Sequence, residues 1–134
     1  MNKTASKEWL RIAQHDLLSA QILFDANHFT DSIGNDLQQA LEKMLKSLLA
    51  YRNAKIPKSH DLLELYEYVA DDIELKKKDL RYLALATEYF KEERYPNPNY
   101  FLPPKEEIAE VLAFTKQLFT TICDQLEIDP TKLN

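Results

Sequence analysis

A chain of 134 residues is the length of one domain, and its 45% hydrophobic content suffices for a packed core. Its only glycine, Gly34, excludes dinucleotide-binding folds and P-loop NTPases, whose phosphate loops need several residues without a Cβ. The single cysteine, Cys123, excludes an internal disulfide and fits a reducing cytosol, and the 29% of charged residues leave no apolar run long enough for a membrane span.

Leucine and alanine are abundant and valine occurs only at Val69 and Val111, which favours helices over strands. The first predicted helix runs from about Ser6, a candidate N-cap, to Ala26, with Trp9, Ile12, Ala13, Leu17, Ala20, Leu23 and Phe24 at helical spacing. A turn at Asn27–Phe29 leads to a second helix, capped by Thr30 or Asp31 and ending near Tyr51 or Arg52. Its apolar stripe (Ile33, Leu37, Ala40, Leu41, Met44, Leu45, Leu48, Leu49) is broad enough to make it the central helix. Gly34 lowers helix propensity there by about 1 kcal/mol relative to alanine, so a close helix contact is expected at that position.

Pro57 breaks the loop that follows, and Ser59 reads as the cap of a short third helix carrying Leu62, Leu63, Leu65, Tyr66 and Val69. A fourth helix carries Leu80, Leu83, Ala84, Thr87 and Phe90. The segment from Arg94 to Asn99, with Pro96 and Pro98, is not helical. Pro103-Pro104 opens a last helix with Ile108, Val111, Leu112, Thr115, Leu118, Phe119, Ile122 and Leu126, and the tail after Asp129 is expected to fray. With no internal repeat or linker, residues 1–134 read as a single all-α domain, an antiparallel bundle of about five helices.

The net charge of −5 hides a segregation. Lys43, Lys46, Arg52, Lys55 and Lys58 occupy a stretch from Lys43 to His60 without an acid. Asp61, Glu64, Glu67, Asp71, Asp72 and Glu74 then follow without a base. A solvated surface is one reading of such runs, and an anion site beside the third helix is the other. His60 stands at the junction, where a neutral imidazole can serve as a general base; capping the helix or bracing the loop fits the same residue. Arg94, with Tyr95, Tyr100 and Phe101 nearby, offers a cation among rings that stack on bases or pack the proline loop. The carboxylates at Glu92-Glu93 and Glu106-Glu107 are adjacent pairs, and no histidine has metal-ligand spacing, so neither a metal nor a cofactor is expected.

Four segments carry a family resemblance. Trp9-Leu10-Arg11-Ile12-Ala13-Gln14-His15-Asp16-Leu17 resembles the W-x-x-x-A-x-x-D-L opening of HEPN domains. Gln38-Gln39-Ala40-Leu41-Glu42-Lys43-Met44-Leu45-Lys46 is similar to their Q-Q-A-x-E-K-x-x-K helix. Ser59-His60-Asp61-Leu62-Leu63-Glu64-Leu65 resembles their H-D-L-x-x-L segment, and Arg94-Tyr95-Pro96 their R-Y-P segment. The resemblance implies a small helical bundle, commonly a homodimer, in a prokaryotic cytoplasm, often beside a minimal nucleotidyltransferase in a toxin–antitoxin pair.

It further implies nucleotide binding or, in some members, metal-independent RNase activity. The RNase members have an arginine followed after four to six residues by a histidine. Here seven residues separate Arg52 from His60, and no histidine follows Arg94. The expectation is therefore a non-enzymatic module that binds a nucleotide, RNA or a protein partner through Arg52, Lys58, His60, Asp61, Arg94 and Tyr95. The alternative is an RNase toxin that cleaves by internal 2′-hydroxyl attack. His60 would then be the acid–base group, and Arg52 or Arg94 would stabilise phosphate charge.

Overall fold

The computed structural model describes residues 1–90 and 102–133, and within them every regular element is helical: α1 (Lys3–Asp25), α2 (Thr30–Tyr51), α3 (Leu62–Val69), α4 (Lys77–Thr87), α5 (Lys105–Gln125) and a 3₁₀ turn (Pro130–Lys132). The five-helix all-α architecture expected from the apolar periodicity is the one observed.

α1 and α2 form an antiparallel hairpin whose register is marked by polar pairs along its length. The Asn2 amide donates to the Tyr51 carbonyl at 2.7 Å, Lys43 meets Asp16 at 2.7 Å, and the Ser19 hydroxyl donates to Asp36 at 2.9 Å. α5 runs antiparallel to α1, with Lys116 reaching Gln21 near one end and Lys3 donating to the Glu127 carbonyl at the other. α2 lies in the middle and packs against α1, α3, α4 and α5. Leu37, Ala40, Leu41, Met44 and Leu45 have no exposed surface, as the width of the apolar stripe requires.

Several helix ends differ from their sequence expectation. α1 is capped by Asn2, whose side chain accepts from the Ala5 amide, and Ser6 is buried with its hydroxyl bonded to the Lys3 carbonyl. Asn caps as well as Ser, and the Asn2 contact with Tyr51 fixes the earlier start. α2 begins after Phe29 without a side-chain cap; Thr30 and Asp31 lie in its first turn. α3 is capped by Asp61, not Ser59: the carboxylate accepts from the Leu63 and Glu64 amides, while the Ser59 hydroxyl accepts from the Asp61 amide itself. α4 stops at Thr87, and Phe90 lies beyond it. The C-terminal tail is held: Pro130–Lys132 forms a turn capped by Asp129, the Pro130 carbonyl accepts from Gln14, and Leu133 is buried.

With one glycine in the chain, the long helices terminate by other means. Asn27, Asn53 and Glu127 adopt the left-handed conformation, with φ of 55°, 57° and 56°. Each sits one residue past a helix cap and forms the paired 6→1 and 5→2 hydrogen bonds of a Schellman motif. His28 and Asn27 bond Leu23 and Phe24; Ala54 and Asn53 bond Leu49 and Ala50; Ile128 and Glu127 bond Cys123 and Asp124. Gly34 is used for close packing instead. A Cβ there would lie 2.9 Å from Cγ of Tyr89, so a close contact is present, but its partner is the turn after α4 and not a helix.

Candidate ligand-binding site

Three polar residues on α2 interrupt its apolar face at a spacing of four: Gln38, Glu42 and Lys46, all buried. Buried polar and charged groups are tolerated only when paired, and each of these is. Lys46 Nζ lies 2.9 Å from Glu42 Oε2 and 5.9 Å from the centre of the Trp9 ring. Glu42 Oε1 accepts from Gln38 at 3.1 Å and from His60 Nδ1 at 2.8 Å. Gln38 also donates to the His60 carbonyl at 2.9 Å. On the adjacent row Gln39 donates to Gln38, and Lys43 bridges Gln39 and Asp16. Trp9, Asp16, the Gln38–Lys46 segment and His60, distant in sequence, therefore belong to one assembly of polar contacts.

The geometry sets the chemistry of His60. Burial raises the affinity of the Glu42 carboxyl for its proton, but hydrogen bonds from His60, Lys46 and Gln38 outweigh it and hold the group below the ordinary glutamate value. Glu42 is thus a carboxylate and can only accept, so Nδ1 of His60 carries the proton and Nε2 is the ring nitrogen left for other partners. The imidazole plane is fixed by Phe90, stacked on it with ring centres 4.0 Å apart and planes inclined by 19°. About half of the His60 side chain remains exposed. Phe90 reaches it because α4 ends at Thr87, whose hydroxyl donates to the Leu83 carbonyl and accepts from the Leu62 amide at the start of α3.

The other expected site residues go elsewhere. Arg52 ends α2, ten residues beyond Glu42 and so about 15 Å further along the helix axis. Its guanidinium pairs with Asp72 at 2.6 Å and bonds the Tyr68 carbonyl, which ties α2 to the end of α3. Asp61 spends its carboxylate on the α3 cap. Lys58 lines a cavity with Lys55, Ile56, Pro57 and Tyr68. Arg94 and Tyr95 lie outside the described residues. Among the described residues no cluster of His, Cys, Asp and Glu is arranged to hold a metal ion. Cys123 is buried, and burial, assisted by Asp124, pushes its thiol up to about 11, which leaves it un-ionised near neutrality.

Gln38, Glu42, Lys46 and Phe90 were not among the expected site residues. The signal for the first three was present: a polar row at i, i+4 and i+8 on the helix whose apolar stripe is the broadest in the chain. Phe90 gave no such signal, since its periodicity placed it on the face of α4.

Two solved structures share the fold. TT1696 from Thermus thermophilus superposes with a TM-score of 0.76 at 22% identity, over 93% of this chain and 99% of that one. ST0689, an archaeal HEPN homologue, gives a TM-score of 0.68 at 18% identity, over 93% and 98%. No curated protein matches the sequence. The HEPN domain family matches residues 6–126, the span that holds α2 to α5, nearly all of α1 and the whole Glu42–His60 assembly; the chain belongs to the HEPN domain family.

Proposed function

We propose that this HEPN domain is a non-enzymatic binding module that takes a nucleotide, or the nucleotide-bearing face of a partner protein, at the exposed edge of His60. The carrying observation is the way that residue is held. A buried carboxylate fixes Nδ1, Gln38 fixes the backbone carbonyl and Phe90 fixes the ring plane, which leaves Nε2 preorganised for a ligand. With Nδ1 carrying the proton, Nε2 is an acceptor, and one fixed acceptor beside an aromatic ring suits a donor on the nucleotide, a ribose hydroxyl or an N–H of the base.

A minimal nucleotidyltransferase in a toxin–antitoxin pair fits this reading as the protein partner, and a second copy of the chain fits the outer face of α1. There Leu18 and Ile22 are exposed and, with His15, Ser19 and Leu23, line a cavity of about 360 Å³. A cytoplasmic setting accords with the buried thiol; among the described residues no helix is long and apolar enough to cross a membrane.

The RNase alternative draws on one observation, the carboxylate–imidazole pair, which is a competent acid–base arrangement. Against it, Arg52 is committed to Asp72 and Tyr68 rather than to the His60 edge. Titration calorimetry with ATP, GTP and a short RNA, paired with a metal-free RNA cleavage assay, separates the readings. Binding without cleavage, weakened at least tenfold by His60→Ala, is the expected result. Cleavage abolished by His60→Ala supports the RNase reading, and absence of heat at millimolar ligand contradicts the binding module.

A further inference from the structure

The basic stretch from Lys43 to Lys58 is sorted by the fold. Lys43 pairs with Asp16, Lys46 with Glu42 and Arg52 with Asp72. Lys55 and Lys58 remain without an ion pair among the described residues. Both line the same cavity, of about 420 Å³, between the α2–α3 loop and the last turn of α3. Its other walls are Ile56, Pro57 and Tyr68, so no carboxylate of the described residues lines it. Ile56 and Pro57 are half-buried, and the Tyr68 side chain is exposed.

We propose that this cavity is a second ligand site, separate from the His60 edge, which takes a dianionic phosphate carried on a single flat ring. The two lysines match a charge of about −1.5 to −2, which a phosphate monoester carries at neutral pH. The apolar walls and the Tyr68 ring match a planar body, and the volume lies in the range of small-molecule pockets, about 300–1,000 Å³. Arg52 contributes as a positioning residue. Its bonds to Asp72 and to the Tyr68 carbonyl fasten the α3 wall to the end of α2, and they neutralise a carboxylate close to that wall. The lysines' charges are strongly screened at high salt, whereas the ring contact is not.

Phenyl phosphate, benzoate and inorganic phosphate, titrated by ligand-observed NMR at low salt, test the assignment. Phenyl phosphate is expected to bind at least tenfold more tightly than either inorganic phosphate or benzoate. Tyr68→Ala should remove the preference for phenyl phosphate over inorganic phosphate, and Tyr68→Phe should keep it. Lys55→Gln with Lys58→Gln should weaken phenyl phosphate at least tenfold. All these side chains are on the surface, and the Arg52 bond is to the Tyr68 backbone, so the fold is retained. His60→Ala should leave phenyl phosphate binding within twofold, which keeps this site distinguishable from the His60 reading. Equal affinity for phenyl phosphate and inorganic phosphate, or indifference to Tyr68→Ala, overturns the proposal, and so does loss of binding in His60→Ala.

Discussion

At the residue scale the molecule turns on Glu42. Its carboxylate joins Lys46, Gln38 and His60 at a depth where an unpaired charge is not tolerated. Glu42→Ala strands the Lys46 ammonium and is expected to cost about 3–5 kcal/mol in urea unfolding. The same bonds set a pH dependence. A carboxyl held below its ordinary value of 4.5 on folding stabilises the native state fully above that pH, and the contribution is lost as the pH falls through the lower folded value. The unfolding free energy should therefore drop below pH 4.5 more steeply in the native chain than in Glu42→Gln, and parallel curves for the two would show that Glu42 is not the responsible group. The Glu42–His60 pair was legible in the sequence only as two resembling segments, because a single chain does not reveal that residues 18 apart meet. His60 itself was legible, as the residue at the switch of charge. Arg52 was not, since its choice of Asp72 over the His60 edge depends on where α2 ends.

At the element scale the helices were readable because leucine and alanine recur at a period near 3.6, and all five are present. Their ends were less readable. Ser59, Asp61, Thr30 and Ser6 are all good caps by type, and tertiary contacts such as Asn2 with Tyr51 choose among them. Asp61→Ala should cost about 1 kcal/mol through loss of the α3 cap, measured by thermal or urea unfolding. The scarcity of glycine leaves a correctable strain: Glu127 is left-handed at the end of α5 without the side chain that makes asparagine tolerant there. Glu127→Gly is expected to stabilise the domain by roughly 0.5–1 kcal/mol, the left-handed penalty less the added freedom of glycine in the unfolded chain. The glycine that is present is placed for contact. Gly34→Ala drives a methyl group into the root of Tyr89 and should destabilise by about 1–2 kcal/mol despite the gain in helix propensity. No loss of melting temperature in that variant would mean that the turn after α4 yields easily.

At the scale of the whole molecule, α2 is both the centre of the core and the rail that carries the polar assembly, so fold and site are built on the same helix. The net charge of −5 conceals a fold in which most cations of the basic stretch are neutralised internally. The surfaces we propose for partners are the His60 edge, the cavity beside Tyr68 and the outer face of α1. Leu18→Glu combined with Ile22→Glu should convert a species of twice the monomer mass to a monomer in light scattering, while a native chain that is already monomeric would remove the dimer from the account. The central claim is that Glu42 and Phe90 present Nε2 of His60 to a ligand, and it is tested most directly by long-range ¹H–¹⁵N correlation of the imidazole nitrogens with and without ATP. The account predicts the Nδ1-protonated tautomer in the free protein, with the Nε2 resonance shifting on addition of ATP. A protonated Nε2 with an unprotonated Nδ1, or an Nε2 resonance that ATP does not move, would contradict it.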